Sequence, residues 1–232
     1  MKKSRANSAG CRLVEMRAGS EYDSPTARLF MEERVPHLPL NIDVRGMTAL
    51  IIGGGTVAGR KASSLLDAGA TVRIVAPELS PEVTRLADAG MVDLKTGCYE
   101  SSDLQDTFLV VAATNDPATN QRIATEARQR GILVAVTGNP GSGNATFPAL
   151  LRRGNLEVSV STNGTCPGFA AIIRDLIAAE LGEEYGTILS ALALEREKLL
   201  TEGGPSTYNN KVLRSRAREL INELTRHKEN VP

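Results

Sequence analysis

A glycine-rich turn between an apolar run and a helical pattern offers the clearest chemistry in this sequence. The stretch Gly53-Gly54-Gly55-Thr56-Val57-Ala58 fits the spacing G-x-G-x-x-A. In such a turn the first glycine permits a tight bend, the second lets backbone approach a pyrophosphate, and the small last residue lets helix and strand pack closely. The helix that begins there presents free N–H groups and a partial positive charge to phosphates. The pattern therefore predicts a dinucleotide site that uses Gly53 and Gly55.

The residues after the second apolar run bear on which dinucleotide binds. That run ends Val75-Ala76-Pro77-Glu78, and a carboxylate near this point is typical of sites that hold the ribose of NAD. Glu78 stands slightly late but within reach of a ribose, and no arginine follows at once to hold a 2′-phosphate. The sequence therefore favours NAD over NADP. Arg60 and Lys61, after the glycine turn, either assist phosphate binding or belong to a solvated turn of the helix.

Few side chains are suited to acid–base or metal chemistry. The two histidines are His37 and His227, so proton transfer falls mainly to carboxylates, lysines, tyrosines or the bound molecules. The three cysteines, Cys11, Cys98 and Cys166, are widely spaced and form no CxxC motif. We therefore expect no disulfide framework, no metal site and a reducing cytoplasm.

The composition excludes several classes of partner. The 27 Lys and Arg residues balance the 27 Asp and Glu residues, which leaves no global field to attract nucleic acid or an anionic membrane. Aromatic residues make up 3% and tryptophan is absent, so a stacking platform for single-stranded nucleic acid is not expected. No run approaches the roughly twenty apolar residues of a membrane span. An anionic substrate must therefore be held by local groups.

Alternating apolar runs and helical patterns must position the glycine turn. Strands are expected at 48–52, 71–77, 92–96, 107–114 and 132–136, and helices after the glycine turn, over 81–89 and over about 117–130. Strands and helices that alternate at this spacing form right-handed βαβ units. We therefore predict an α/β fold, a doubly wound parallel Rossmann sheet, within residues 37–144.

The remainder of the chain has different patterns. Residues 1–36 are expected to form a mobile extension. LEVSVST at 156–162 alternates apolar and polar residues, as in a strand with one solvated or interface face, and a strongly apolar helix is expected over 168–181. We predict a dimerisation region at 145–181 and a helical C-terminal region at 182–232. The apolar content of the former fits a dimer interface or a core within one chain.

Three separate motifs resemble one protein family. They are PLNIDVRGMTALIIGGGTVAGRKASSLLDAGATVRIVAPEL at 39–79, AATNDPATNQRIATEA at 112–127 and FPALLRRGNLEVSVSTNGTCPGFAAIIRDLI at 147–177. In this order and spacing they resemble precorrin-2 dehydrogenase, also called the siroheme synthase N-terminal module. The resemblance implies NAD-dependent oxidation of precorrin-2 to sirohydrochlorin by a homodimer, in siroheme or cobalamin biosynthesis. Some members of that family also insert ferrous iron, and a few handle cobalt.

The resemblance also implies roles for particular residues. The cofactor contacts of the family fall on Gly53, Gly55, Thr56, Val57, Pro77, Glu78, Ala113 and Thr114. Candidates for binding the carboxylates of the substrate are Ser161, Thr162, Asn163, Arg152, Arg153 and Arg174. Guanidinium groups pair well with carboxylates. Alternatively, the arginines form a solvated turn and a salt bridge within the chain, and the three polar residues cap the following helix.

One position departs from the family pattern. Related enzymes carry an Asp in a segment like N-V-V-D-x-P, proposed as the acid–base group for both reactions, whereas this chain has VAVTGNP at 134–140 with Gly138 at the Asp position. Glycine can neither exchange a proton nor steer a metal, so ferrochelatase activity is left open. Three readings remain. The chain is a dehydrogenase whose proton goes to the substrate, to water or to Asp116; it is a slow enzyme in which Asn139 partly replaces the Asp; or it binds NAD and a tetrapyrrole without turnover, as a carrier or regulator.

Overall fold

Five parallel strands form the central sheet of the chain. They are β1 (Thr48–Ile52), β2 (Thr71–Ala76), β3 (Asp93–Thr96), β4 (Leu109–Ala112) and β5 (Leu133–Val136). Their order across the sheet is β3-β2-β1-β4-β5, and each neighbouring pair is parallel. The strand order changes direction at β1, so the carboxyl ends of β1 and β4 flank the crevice in which such sheets bind ligands. The predicted doubly wound parallel sheet is confirmed.

The computed structural model describes residues 37–203 and 210–229. The described residues from Pro39 onward belong to one compact unit. The expected mobile extension over residues 1–36 lies outside the described residues. The boundaries proposed after residues 144 and 181 fall within the single unit, and they stay predictions.

Three helices cover the two faces of this sheet. They are α1 (Thr56–Asp67), α2 (Pro81–Asp88) and α3 (Pro117–Gln129). Along β1, Ala49 and Ile51 belong to a core shared with α1 and α2, whereas Leu50 and Ile52 belong to a second core shared with α3. All four side chains are at most 2% exposed. Because both faces of the strand are covered, the run is continuously apolar rather than alternating.

The C-terminal part combines a hairpin with three helices. Strands β6 (Ala149–Arg153) and β7 (Leu156–Val160) pair antiparallel, and α4 (Pro167–Glu180) packs against both of them. Helices α5 (Glu184–Gly203) and α6 (Asn210–Glu229) pack against each other. The strand predicted at 156–162 and the helix predicted at 168–181 therefore correspond to β7 and α4. The sequence pattern did not predict β6, because its run ALLRR shows no alternation and only Leu151 is buried.

Candidate dinucleotide site and substrate cleft

The glycine turn is locked against the ends of two neighbouring strands. The N–H of Gly53 donates to the carbonyl oxygen of Val75 at the end of β2, at 2.9 Å. Gly53 has a φ of 121°, and a Cβ placed there would overlap with the carbonyl oxygen of Ala113, just beyond β4. Both the backbone conformation and the close approach therefore require glycine.

Gly54 has a structural role that the motif does not specify. A Cβ at this position would overlap with the carbonyl oxygen of Glu78 and would lie 2.9 Å from the Cβ of Ala76. The N–H of Ser80 donates to the carbonyl of Gly54 at 2.7 Å. The middle glycine therefore brings the loop after β2 against the turn, which sets the position of the predicted ribose-binding segment.

Gly55 marks the open side of the turn. It is the N-cap of α1, no side chain caps the helix, and a Cβ there would meet nothing within 4 Å. Gly55 and Thr56 are exposed, Val57 is half-buried, and Ala58 is fully buried against the sheet. The first N–H groups of a helix have no partner within it. This end of α1 therefore fits the phosphates of a dinucleotide, with donors on an accessible surface.

The other predicted cofactor residues lie beyond the carboxyl ends of the adjacent strands. Pro77 and Glu78 follow β2 and are exposed, while Ala113 and Thr114 follow β4 and are half-buried. Asn120, which sequence reasoning missed, holds Thr114 in place. Its Oδ1 accepts from the N–H and the hydroxyl of Thr114 at 3.1 and 2.8 Å, and its Nδ2 donates to the Thr114 carbonyl at 3.0 Å. Asn120 is 6% exposed. A buried amide needs hydrogen-bond partners, so a prediction of burial at this position of the helix would have indicated a structural role for Asn120.

A cleft of about 230 Å³ lies beside the turn, between the Rossmann sheet and the hairpin. Its walls come from α1, the ends of β4 and β5, the loop before β6 and the start of α4. They include six residues that the sequence indicated as candidates: Val57, Arg60, Lys61, Gly138, Ser161 and Thr162. A wider depression of about 700 Å³ lies at the amino ends of β1, β4 and β5, away from the edge where such sheets bind ligands.

Gly138 leaves the cleft without a carboxylate at the position where the family pattern has one. It follows β5, is exposed, and has a φ of 80°. A Cβ there would meet nothing within 4 Å, so there is space for a side chain. Of the described residues that line the cleft, only Arg60 and Lys61 have ionisable side chains. Proton transfer from an acidic side chain of the cleft wall is therefore not available there.

Lys61 has an unusual environment. Its Nζ lies 3.9 Å from the centroid of the Phe147 ring, within the range of a cation–π contact. Burial, and to a lesser degree the neighbouring Arg60, lower the pKa of Lys61 from 10.5 to about 8. The sequence left open whether this residue is a solvated part of a helix, and the structure shows a half-buried ammonium that faces the cleft.

The polar residues after β7 form a turn at the edge of the cleft. The hydroxyl of Ser161 accepts from the N–H of Asn163 at 3.1 Å, and the hydroxyl of Thr162 accepts from the N–H of Cys166 at 3.2 Å. Asn163 has a φ of 50°, which asparagine tolerates better than most residues. The turn therefore supports the start of α4, and its Ser161 and Thr162 also line the cleft. Their predicted role in substrate binding stays a prediction.

The three arginines selected for substrate binding have partners within the chain and are not among the residues that line the cleft. Arg152 pairs with Glu157 at 2.7 Å, and Arg174 pairs with Asp175 at 2.6 Å. Arg153 donates to the carbonyl of Leu181 at 2.7 Å and lies 3.2 Å from Glu183. The contact of Arg174 is the salt bridge that the sequence offered as its alternative, whereas Arg152 and Arg153 form ion pairs instead of the solvated turn. Their predicted role in substrate binding stays a prediction.

Asp116 is the N-cap of α3. Its carboxylate accepts from the N–H groups of Ala118 and Thr119 at 3.1 and 3.0 Å. The Thr119 hydroxyl and these N–H groups lower the pKa of Asp116 below its usual value. Asp116 is not among the residues that line the cleft, so this geometry favours a capping role over proton transfer.

Two consecutive parts of the chain match known protein families. Residues 40–149 match the family model described as putative NAD(P)-binding, and residues 153–180 match the one described as sirohaem biosynthesis protein, central. Siroheme synthase from Methylococcus capsulatus is 38% identical over 163 residues, 70% of this chain and 34% of that protein. Siroheme synthase from Ectopseudomonas mendocina is 44% identical over 151 residues, 65% of this chain and 32% of that protein. The chain is therefore similar to siroheme synthases over about two thirds of its own length.

One solved structure is similar to this chain over nearly the whole length of the solved protein. The protein titled SirC, precorrin-2 dehydrogenase, has a TM-score of 0.63 and 25% identity, and the match covers 82% of this chain and 99% of that chain. By contrast, this chain spans about a third of the length of the siroheme synthases that it matches. The two matched family models together cover the NAD(P)-binding sheet, β7 and α4.

Of the helices that the structure describes, none is both long and apolar enough to cross a membrane. Within residues 37–203 and 210–229, no group of three or more His, Cys, Asp or Glu side chains is arranged to hold a metal ion.

Proposed function

We propose that this chain is an NAD-dependent dehydrogenase that oxidises precorrin-2 to sirohydrochlorin in siroheme or cobalamin biosynthesis. The cleft carries this proposal, because Val57 of the glycine-turn helix and Ser161 and Thr162 of the hairpin segment line the same space. Dehydrogenation requires that substrate and nicotinamide be held side by side. The names of the relatives support this substrate, since SirC is titled a precorrin-2 dehydrogenase.

The residues of the chain supply binding and orientation, and NAD⁺, when bound, supplies the hydride acceptor. The N–H groups at the start of α1 hold the phosphates, and Glu78 holds a ribose hydroxyl. Thr114, fixed by Asn120, supports the cofactor beyond β4. The hydroxyls of Ser161 and Thr162 bond to the substrate. The apolar side chains of the cleft wall exclude water from the reacting atoms.

The proton that accompanies hydride loss has no carboxylate acceptor on the described cleft wall. Gly138 has no side chain to accept it, and the carboxylate of Asp116 is engaged in capping α3. We propose that the proton goes to water or to a carboxylate of the substrate. We also propose that metal insertion is not part of the activity, because the side chain assigned to it in the family is missing here.

A second candidate function follows from the same glycine. A chain that binds NAD and a tetrapyrrole but lacks the acid–base group would act as a carrier or regulator. Gly138 is the observation that favours this candidate over a competent enzyme.

Turnover of freshly generated precorrin-2 with NAD⁺ separates the two candidates. Reduced nicotinamide and sirohydrochlorin are followed together by absorbance for wild type, Gly138→Asp and Gly90→Asp. Gly90 is a matched control, because it is also exposed, has a φ of 68° and leaves a Cβ nothing to meet within 4 Å. We expect wild type to form both products in equal amounts. We expect Gly138→Asp to be faster by up to about a hundredfold and Gly90→Asp to match wild type.

Two results would contradict the dehydrogenase proposal. If wild type binds NAD⁺ and precorrin-2 without turnover and Gly138→Asp gains activity, the chain binds both molecules but has lost its acid–base group. If neither wild type nor Gly138→Asp binds NAD⁺, both candidate functions are wrong.

We further propose that the chain forms a homodimer through α4. Phe169, Ile172 and Leu176 are spaced three and four residues apart on this helix and are 54%, 58% and 61% exposed. Residues at this spacing share one face of a helix. An apolar stripe of this kind fits a second copy of the same face.

We propose a cytoplasmic location from the cysteine pattern, since Cys98 and Cys166 are both free and exposed.

A further inference from the structure

Two neighbouring cations line the cleft without an acidic partner. Arg60 and Lys61 lie in the second turn of α1, and both contribute to the cleft wall. Within residues 37–203 and 210–229, neither side chain forms an ion pair. No Asp or Glu is among the described residues that line the cleft. The site therefore holds two uncompensated positive charges.

The environment of Lys61 disfavours its charged form. Its ammonium is half-buried against the Phe147 ring at 3.9 Å and lies beside the like charge of Arg60. Burial and a neighbouring cation both disfavour the charged form of an amine. An anionic group in the cleft would offset both effects, because it supplies the missing opposite charge.

Position separates this pair from the nucleotide phosphates. The phosphate donors belong to the first turn of α1 beside Gly55, whereas Arg60 and Lys61 come one turn later and line the space shared with Gly138 and Ser161. The arginines that the sequence suggested for this task, Arg152, Arg153 and Arg174, have partners within the chain. We propose that Arg60 and Lys61 form the subsite that binds a carboxylate of a polycarboxylate substrate. This inference rests on the proposed function for the identity of that substrate.

Binding measurements on single variants test the subsite. Wild type, Arg60→Gln, Lys61→Gln and Lys61→Arg are titrated with sirohydrochlorin by absorbance and with NAD⁺ by calorimetry. Arg85→Gln is the control, because Arg85 is an exposed cation on α2 that does not line the cleft. We expect Arg60→Gln and Lys61→Gln to weaken sirohydrochlorin binding by about tenfold or more, because each removes a charge-assisted contact. NAD⁺ affinity should stay within about twofold of wild type, Lys61→Arg should retain most of the binding, and Arg85→Gln should have no effect.

Two results of these titrations overturn the subsite. If the Gln variants lose NAD⁺ affinity while sirohydrochlorin binding is unchanged, the pair serves the nucleotide phosphates. If neither affinity changes, the two cations are solvated and bind nothing.

A second probe keeps the subsite testable if the proposed function fails. The pKa of Lys61 is measured by NMR on protein with ¹⁵N-labelled lysine, with and without benzene-1,3,5-tricarboxylate. A rise in the pKa of Lys61 on adding this compound supports a carboxylate subsite even if wild type does not bind sirohydrochlorin, in which case only the proposed function fails. An unchanged pKa with the tricarboxylate, together with no binding of sirohydrochlorin, overturns both.

Discussion

Gly53 and Gly55 stand two residues apart in one turn, yet each needs glycine for a different reason. Gly53 is buried, has a φ of 121° and touches the backbone beyond β4. Gly55 has an ordinary negative φ and open space where a side chain would begin. The fold therefore requires glycine at position 53, and we propose that the bound dinucleotide requires it at position 55.

Alanine at these two positions should separate stability from binding. We expect Gly53→Ala to lower the free energy of unfolding by about 2 kcal/mol or more, because it adds both strain and overlap. Gly55→Ala should leave the free energy of unfolding nearly unchanged. It should weaken the binding of NAD⁺, because its methyl group occupies the space needed by the pyrophosphate. Urea unfolding and calorimetric titration measure the two effects. Equal loss of stability in both variants would contradict this assignment.

Lys61 should make stability depend on pH in the alkaline range. Its pKa is about 8 in the folded chain, against 10.5 for an ordinary lysine, so between these values the unfolded chain binds more protons. The contribution of Lys61 to the free energy of unfolding therefore rises with pH across this window. We expect wild type to gain stability relative to Lys61→Met between pH 8 and pH 10, as measured by urea unfolding. A constant difference between the two proteins would show that the ammonium is not desolvated.

The start of α3 is the element that fixes the segment beyond β4. Asp116 caps the helix, and Asn120, one turn later, bonds three times to Thr114. The motif AATNDPATN thus joins a strand end, a cap and an anchor in nine residues. Its polar residues serve local structure, and that structure holds Thr114, which we propose to contact the cofactor.

Asp116→Ala distinguishes a capping role from a catalytic one. We expect the variant to have a Tm lower by about 3 °C, with turnover per folded molecule unchanged. Because the pKa of Asp116 is lowered in the folded chain, the stabilisation is present at neutral pH and is lost as the pH falls through that pKa. Thermal unfolding at neutral and acidic pH measures the first effect, and steady-state kinetics measures the second. Loss of turnover without loss of stability would instead make Asp116 the proton acceptor.

On the scale of the whole molecule, α4 links the cleft to the proposed dimer. Its first turns contribute Pro167 and Ala170 to the cleft, while Phe169, Ile172 and Leu176 are exposed on another part of the helix. Substrate binding and association of two copies would therefore involve the same element.

Charges on the exposed stripe of α4 should prevent association. We expect wild type to sediment as a dimer, and the double variant Ile172→Glu and Leu176→Glu to sediment as a monomer, because carboxylates buried in an apolar interface lose their hydration. Met91→Glu serves as the control, since Met91 is 52% exposed in the loop between α2 and β3. Sedimentation velocity at several concentrations measures this. A monomeric wild type would contradict the dimer proposal.

Predictions from the sequence were sound where one local cause decides the outcome. β1 is buried on both faces and is a short, unbroken apolar run, which is typical of a strand in a parallel sheet. β6 was missed because its place depends on pairing with β7, and that pairing joins Ala149 to Val160 across the hairpin. The arginines of the same region were selected by charge, yet charge alone does not reveal that Arg152 faces Glu157.

The sequence by itself determined the doubly wound sheet and the glycine turn at its switch point, because these depend on local patterns of burial and on backbone conformations that few residues adopt. Its three motifs also sufficed to indicate the resemblance to precorrin-2 dehydrogenase. Only the tertiary structure decided which charged side chains share the cleft. Arg60 and Lys61 line the same cleft as Ser161, although about one hundred residues separate them from Ser161 in the sequence. Three other arginines form ion pairs outside the cleft, namely Arg152, Arg153 and Arg174. The physical reason is that an ion pair depends on distance in space and on desolvation, neither of which is encoded by spacing along the chain.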